Sequence, residues 1–203
     1  MQPPSPSYAA TVAHRLTTLL LAAAIAIGVY IVVDAATGGP RDVFFDATVP
    51  LDLHRLPKGL LPADSQSTRM LIEHPSASEQ RLGLASDLLP IVLAAAILWF
   101  MRGVARSVRD GDPFVAANVR RLRAVGALLL AGALVVHYGA IALQDAIADP
   151  YLSSPFQPVR EQGILPADPD FPLTPLLCGL GAFVIAQVFA HGVELRKDVD
   201  ATI

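Results

Sequence analysis

Apolar and polar positions along this chain are segregated on the scale of whole helices. Four stretches contain no Asp, Glu, Lys or Arg: Leu16–Val33, Leu88–Met101, Ala124–Gln144 and Phe171–Val193. The hydrocarbon core of a bilayer is crossed by about 20 apolar residues in a helix, with about 17–25 tolerated. The first, third and fourth stretches meet that length directly. The second has 14 residues and reaches 18, Leu88–Ala105, when Arg102 extends its guanidinium to headgroup level. The pattern predicts an all-α membrane protein, a four-transmembrane-helix bundle with helices at about 14–34, 87–108, 113–145 and 172–197. Residues 1–13, rich in Pro and Ser, read as a disordered cytoplasmic tail, and 14–203 as one membrane domain.

The loops complete the layout. An outer loop at 35–86 holds "DVFFDATVPLDLH" and "STRMLIEH", whose alternation and β-branched or aromatic content predict a small extracytoplasmic β-hairpin or sheet. The second outer loop, 146–171, lies in a Pro-rich stretch and reads as stiff and extended. Pro90 falls in the expected first turn of the second helix, where a missing N–H costs little.

Composition supports the membrane reading. The chain is 53% hydrophobic and 16% charged, with mean hydropathy +0.50, whereas soluble domains carry about 25% charged residues. "VVDAATGG" after the first apolar run could suit a signal-peptide cleavage site. That run has 18 residues with only Arg15 before it, so an uncleaved anchor is expected. Charge then sets orientation. The N-terminal segment, the 102–123 segment and the C-terminal tail hold nine Lys or Arg and five Asp or Glu. The opposite side, residues 34–87 and 145–170, holds six and 13. Basic residues near helix ends mark the cytoplasmic side, so both termini and the 102–123 segment are expected in the cytoplasm.

Candidate chemistry is sparse. The single cysteine, Cys178, allows no internal disulfide and forms no CxxC or metal spacing. His137 and His191 fall at different depths and cannot share one haem, and the apolar runs hold no acidic residue. No GxSxG or HExxH occurs. No enzymatic activity, cofactor or metal is therefore expected. Small residues recur at four-residue spacing, Cys178, Ala182, Ala186 and Ala190 in helix four, and Ala24 and Gly28 in helix one. They suit close helix approach within the bundle, in preference to a homodimer, which the same spacing also serves.

The least typical stretch is "RDGDPFVAANVRRLR", Arg109 to Arg123. Asp112 suits an N-cap and Pro113 a first helical position, so a helix is expected to start at Pro113. Arg120, Arg121 and Arg123 would then reach lipid phosphates. "GDPFVAANVRRLR", with Gly-x-Pro-Phe and an Asn four residues after the Phe, resembles the hallmark of a family of small bacterial membrane proteins, domain of unknown function 2975. "VFAHGVELRKDVDATI" resembles that family's ending, with Ala201 where Leu is expected. The resemblance covers the second half of the chain and the four-helix layout. It implies no activity, but a gene neighbourhood with a helix-turn-helix regulator of the Xre type.

On that resemblance, Gly111, Pro113, Phe114 and Asn118 form a cytosolic feature with Gly192, Leu195, Asp200 and Thr202. Arg120 and Arg121, in a cluster with Arg123, add the natural contact for an acidic helical partner. The leading expectation is a regulatory membrane protein that holds a soluble regulator, itself making no direct contact with nucleic acid. The alternatives are a structural or assembly subunit packed against another membrane protein, and extracytoplasmic ligand sensing by the 35–86 loop.

Overall fold

The computed structural model describes residues 8–37, 42–46, 60–62, 69–72, 74–152 and 171–201. In chain order the elements are α1 (Tyr8–Thr37), β1 (Val43–Asp46), β2 (Leu60–Pro62), β3 (Arg69–Ile72), α2 (Ala77–Arg109), α3 (Ala116–Leu152) and α4 (Leu173–Asp200). All four helices are long and apolar enough to cross a membrane. The chain is a multi-pass membrane protein. An even number of spans places both termini and the α2–α3 turn on one side of the bilayer.

Every helix outruns its apolar stretch. α1 begins at Tyr8 rather than about residue 14, so residues 8–13 of the expected tail are helical. α2 begins at Ala77, ten residues earlier than the apolar run suggests. Its start is set by a capping box: the Ser76 N–H donates to Glu79 Oε2 at 2.6 Å, and the Glu79 N–H donates to Ser76 Oγ at 3.3 Å. Two donors that the helix itself leaves unpaired are thereby satisfied. Pro90 consequently lies inside α2 and not in its first turn. α3 continues through Leu152, so the first residues of the expected 146–171 loop are helical. The rest of that loop lies outside the described residues.

The chain divides into two compact units. One comprises residues 29–89 and 136–171. Its sheet has three antiparallel strands in the order β1-β3-β2, with Val43 opposite Ile72, and Leu60 also opposite Ile72. The sequence pattern located β1 and β3 but not β2. Val43 and Ile72 are buried while Phe44 is exposed, the two-residue alternation of a half-covered strand. Val43 packs on Gly83 of α2, whose added Cβ would lie 3.6 Å from its Cγ1. Ile147 and Ala148 are buried in α3, and the His137 ring meets Phe171 edge-on at 5.7 Å.

The other unit, residues 1–28, 90–135 and 172–203, contains part of every helix. Its core joins Val104 of α2, Leu122 of α3 and Ala186 of α4, with Phe189 packed against them. α3 and α4 approach backbone to backbone at Gly126 and Gly179. A Cβ at either would lie 3.1 Å from the other's carbonyl oxygen. Without a hydrophobic force between helices in lipid, such close van der Waals contact is what holds them. Of the expected small ridge on α4, Ala186 is fully buried, Ala182 and Ala190 are half-buried and Cys178 is exposed. The seam runs through Gly179 instead of Cys178.

Candidate functional site: the turn between α2 and α3

α2 stops where Gly111 adopts φ +82°, a left-handed conformation that costs an L side chain roughly 1–2 kcal/mol. The Gly111 N–H donates to the Val108 carbonyl at 3.2 Å, and the Asp112 N–H to the Ser107 carbonyl at 3.1 Å. These two bonds are the Schellman pair that satisfies the last carbonyls of a helix. A Cβ at Gly111 would meet nothing within 4 Å, so backbone conformation alone requires glycine there. Ser107 Oγ donates to the Asp112 carbonyl at 2.5 Å.

Residues 112–115 are not helical, and α3 starts at Ala116. The expected helix start at Pro113, capped by Asp112, is therefore corrected. The reason is that the Asp112 backbone already terminates α2, and its carboxylate pairs with Arg196 of α4. The first turn of α3 is closed at Val115, whose carbonyl accepts from the Asn118 N–H at 2.9 Å. The Asn118 side chain then reaches back, and its Nδ2 donates to the Pro113 carbonyl at 2.8 Å.

Asn118 is fully buried, and its other polar atom is also used. Its Oδ1 accepts from Arg121 Nη1 at 2.9 Å, and the same nitrogen donates to the Gly103 carbonyl of α2 at 3.1 Å. A chain of bonds thus links the turn, α3 and α2. Gly103 makes room for it: a Cβ there would lie 2.8 Å from Arg121 Nε. Arg121 is accordingly engaged in the α2–α3 seam and is not extended to a lipid phosphate. Arg120 and Arg123 are exposed, with no hydrogen bond or ion pair among the described residues.

Phe114 lies on α4. Its ring centroid is 5.4 Å from that of Phe189, and a Cβ on Gly192 would come within 2.5 Å of its Cδ1. Of the residues singled out from the sequence, Gly111, Pro113, Phe114, Asn118, Arg121 and Gly192 are thus brought into one connected structure. Leu195 lies farther along α4 and is 56% exposed. Asp200 is the last residue of α4, its side chain outside the described residues, as is Thr202. Ser107, Gly103 and Arg196 were missed by the sequence reading. Among them only Gly103, a small residue beside Arg102, carried a local signal.

Among the described residues, no group of three His, Cys, Asp or Glu side chains is placed to hold a metal ion. His191 Nδ1 faces Glu194 Oε2 at 3.6 Å on the exposed side of α4.

A four-span membrane protein with a braced turn on its terminus-bearing side is the class that these elements define. Residues 66–203 match the family described as "Protein of unknown function (DUF2975)", and the chain belongs to that family. Neither a curated protein nor a solved structure gives a match. The matched segment contains β3, α2, α3 and α4 and every residue of the turn, whereas α1, β1 and β2 precede it.

Proposed function

We propose that this protein is a regulatory component of a bacterial inner membrane that holds a soluble regulator at the cytoplasmic surface and catalyses no reaction itself. Both termini and the α2–α3 turn lie in the cytoplasm on this reading, supported by the excess of Lys and Arg at that end. The observation that carries it is the far end of α4. The helix has 28 residues, about 42 Å at 1.5 Å per residue, against a hydrocarbon core of about 30 Å. Its final turns are polar, yet Leu195 and Val199 sit one helical turn apart at 56% and 60% exposed.

An i, i+4 apolar pair on a charged helix is what a partner's groove or amphipathic helix takes up. Arg120 and Arg123, exposed and without a polar partner among the described residues, add guanidinium groups suited to acidic side chains. The root of this helix is fixed by Phe114 on Gly192 and by Arg196 on Asp112, which lowers the ordering cost of docking. A helix-turn-helix transcription regulator of the Xre type is the partner that the family resemblance implies.

The test is affinity purification of the full-length protein from native membranes, comparing wild type with a Leu195→Glu/Val199→Glu variant. Burying two carboxylates in an apolar contact predicts at least a tenfold loss of a co-purified soluble regulator, with membrane insertion unchanged. Undiminished recovery of the regulator would sink the proposal.

A further inference from the structure

The seam between α1 and α2 gathers positive charge with little acidic partnering among the described residues. Arg102 of α2 donates through Nε to Thr18 Oγ1 of α1 at 3.2 Å. Thr18 Oγ1 in turn donates to the His14 carbonyl at 2.7 Å. The Nε of Arg102 is thereby fixed, while its two Nη amines have no acceptor among the described residues. Deeper in the same seam, Gly28 of α1 faces Ile91 of α2, with a Cβ position 3.6 Å from Ile91 Cγ2.

Ten residues separate Thr18 from Gly28, and eleven separate Ile91 from Arg102. The two helices therefore run antiparallel in step, and one turn toward the termini Arg15 comes level with Arg106. Arg15 has no polar partner among the described residues. Arg106 has only Asp110 at 3.8 Å, with both side chains mostly exposed, and Arg109 holds the same carboxylate more closely at 3.0 Å. No Asp or Glu occurs in residues 1–33.

We propose that this seam binds the phosphate of an anionic phospholipid headgroup. Arg102 presents its Nη fork, the geometry that grips two phosphate oxygens at once. Arg15 and Arg106 flank it with charge. The depth is right for lipid. Arg15 immediately precedes the apolar run Leu16–Val33, and Arg102 immediately follows Leu88–Met101, the level at which phospholipid phosphates lie. Basic pockets between transmembrane helices take up such headgroups. The site stands apart from the α2–α3 turn and does not depend on the regulatory reading.

The experiment is native mass spectrometry of the full-length protein released from mixed micelles of phosphatidylglycerol and phosphatidylcholine in equal amounts. Wild type should retain phosphatidylglycerol about five- to tenfold over phosphatidylcholine, the selectivity that one well-placed arginine confers. Arg102→Gln should reduce that preference to twofold or less, roughly the level without the fork. Arg102→Lys, which keeps the charge and loses the fork, should fall between the two. An Arg120→Gln/Arg123→Gln variant should keep the full preference. Melting in phosphatidylcholine nanodiscs confirms that each variant is folded.

Equal loss in the Arg120/Arg123 variant would overturn the site in favour of diffuse attraction. Displacement of bound phosphatidylglycerol by millimolar inorganic phosphate would show a free-anion site and would equally overturn it. Absence of any preference in wild type would do the same.

Discussion

α1 and α3 are both long apolar helices, yet they use their apolar surface in opposite ways. The most hydrophobic 18-residue stretch of α1 is more apolar than that of α3, yet only 6% of its residues are buried, against 17% in α3. The more hydrophobic helix is the less buried one. In water this order would be a defect, because apolar surface drives burial. In a bilayer, lipid tails are as apolar as leucine, so hydropathy marks the surface given to lipid. What draws α3 inward is its small and polar residues: Gly126 against Gly179, Gly132 against Leu93, Asn118 bonded to Pro113 of the turn, and Arg121 bonded to Gly103 of α2. α1 has fewer such points, chiefly Thr18 with Arg102 and Gly28 against Ile91.

The comparison breaks most sharply at the glycine crossing. In Gly126→Leu the side chain must enter space within 2.7 Å of Phe183. Overpacking of this kind costs about 3 kcal/mol, and for a chain of this size the melting temperature should fall by about 6–12 °C. The polar clasp comes next. Asn118→Ala removes the partner of the Pro113 carbonyl and one of two acceptors for Arg121, leaving buried groups unpaired at a cost of about 2 kcal/mol. Thermal melting in detergent should show it, and Asn118→Asp, which keeps the acceptor for Arg121, should lose less.

Gly111→Ala should cost about 1 kcal/mol through its positive φ alone, since no neighbour obstructs the new methyl group. Removal of the exposed Arg196–Asp112 pair by Arg196→Ala should cost less than about 1 kcal/mol and become undetectable in high salt. Leu19→Ala on α1, at a position 68% exposed, marks the floor. Its melting temperature should stay within about 2 °C of wild type, since a lipid-facing side chain loses little protein packing. A loss equal to that of Gly126→Leu would mean that α1 is held as tightly as α3.

The number of helices and the position of each apolar core were legible in the sequence because lipid demands about 20 uncharged residues and tolerates few exceptions. Helix ends were less legible, since a transmembrane helix ends where its caps are and not where its apolar run stops. Ser76-Ala-Ser-Glu79 carries the S-x-x-E signature of a capping box, so the start of α2 was readable from that motif and hidden from hydropathy. At the turn, local rules pointed to Asp112 and Pro113 as a helix start, and tertiary partners decided otherwise. Ser107 and Arg196, five and 84 residues away, claimed the backbone and side chain of Asp112.

The residues of the turn stood out as a group, but their roles could not be assigned. Arg121 looked like its neighbours Arg120 and Arg123, and only the fold places it against Gly103. The crossing of Gly126 with Gly179, 53 positions apart, leaves no local pattern at all. Leu195 differs: the family resemblance singled it out, and its exposure agrees with the charged residues around it in "ELRKD".

The most direct test of the regulatory reading is in-cell photo-cross-linking with a reactive amino acid at Leu195 and, separately, at Leu19, with products identified by mass spectrometry. A platform at the end of α4 predicts capture of a soluble regulator from Leu195 and of lipid alone from Leu19. Capture of only lipid or the protein's own helices from Leu195 would contradict the reading and leave the α2–α3 turn as an anchor that fixes helix depth.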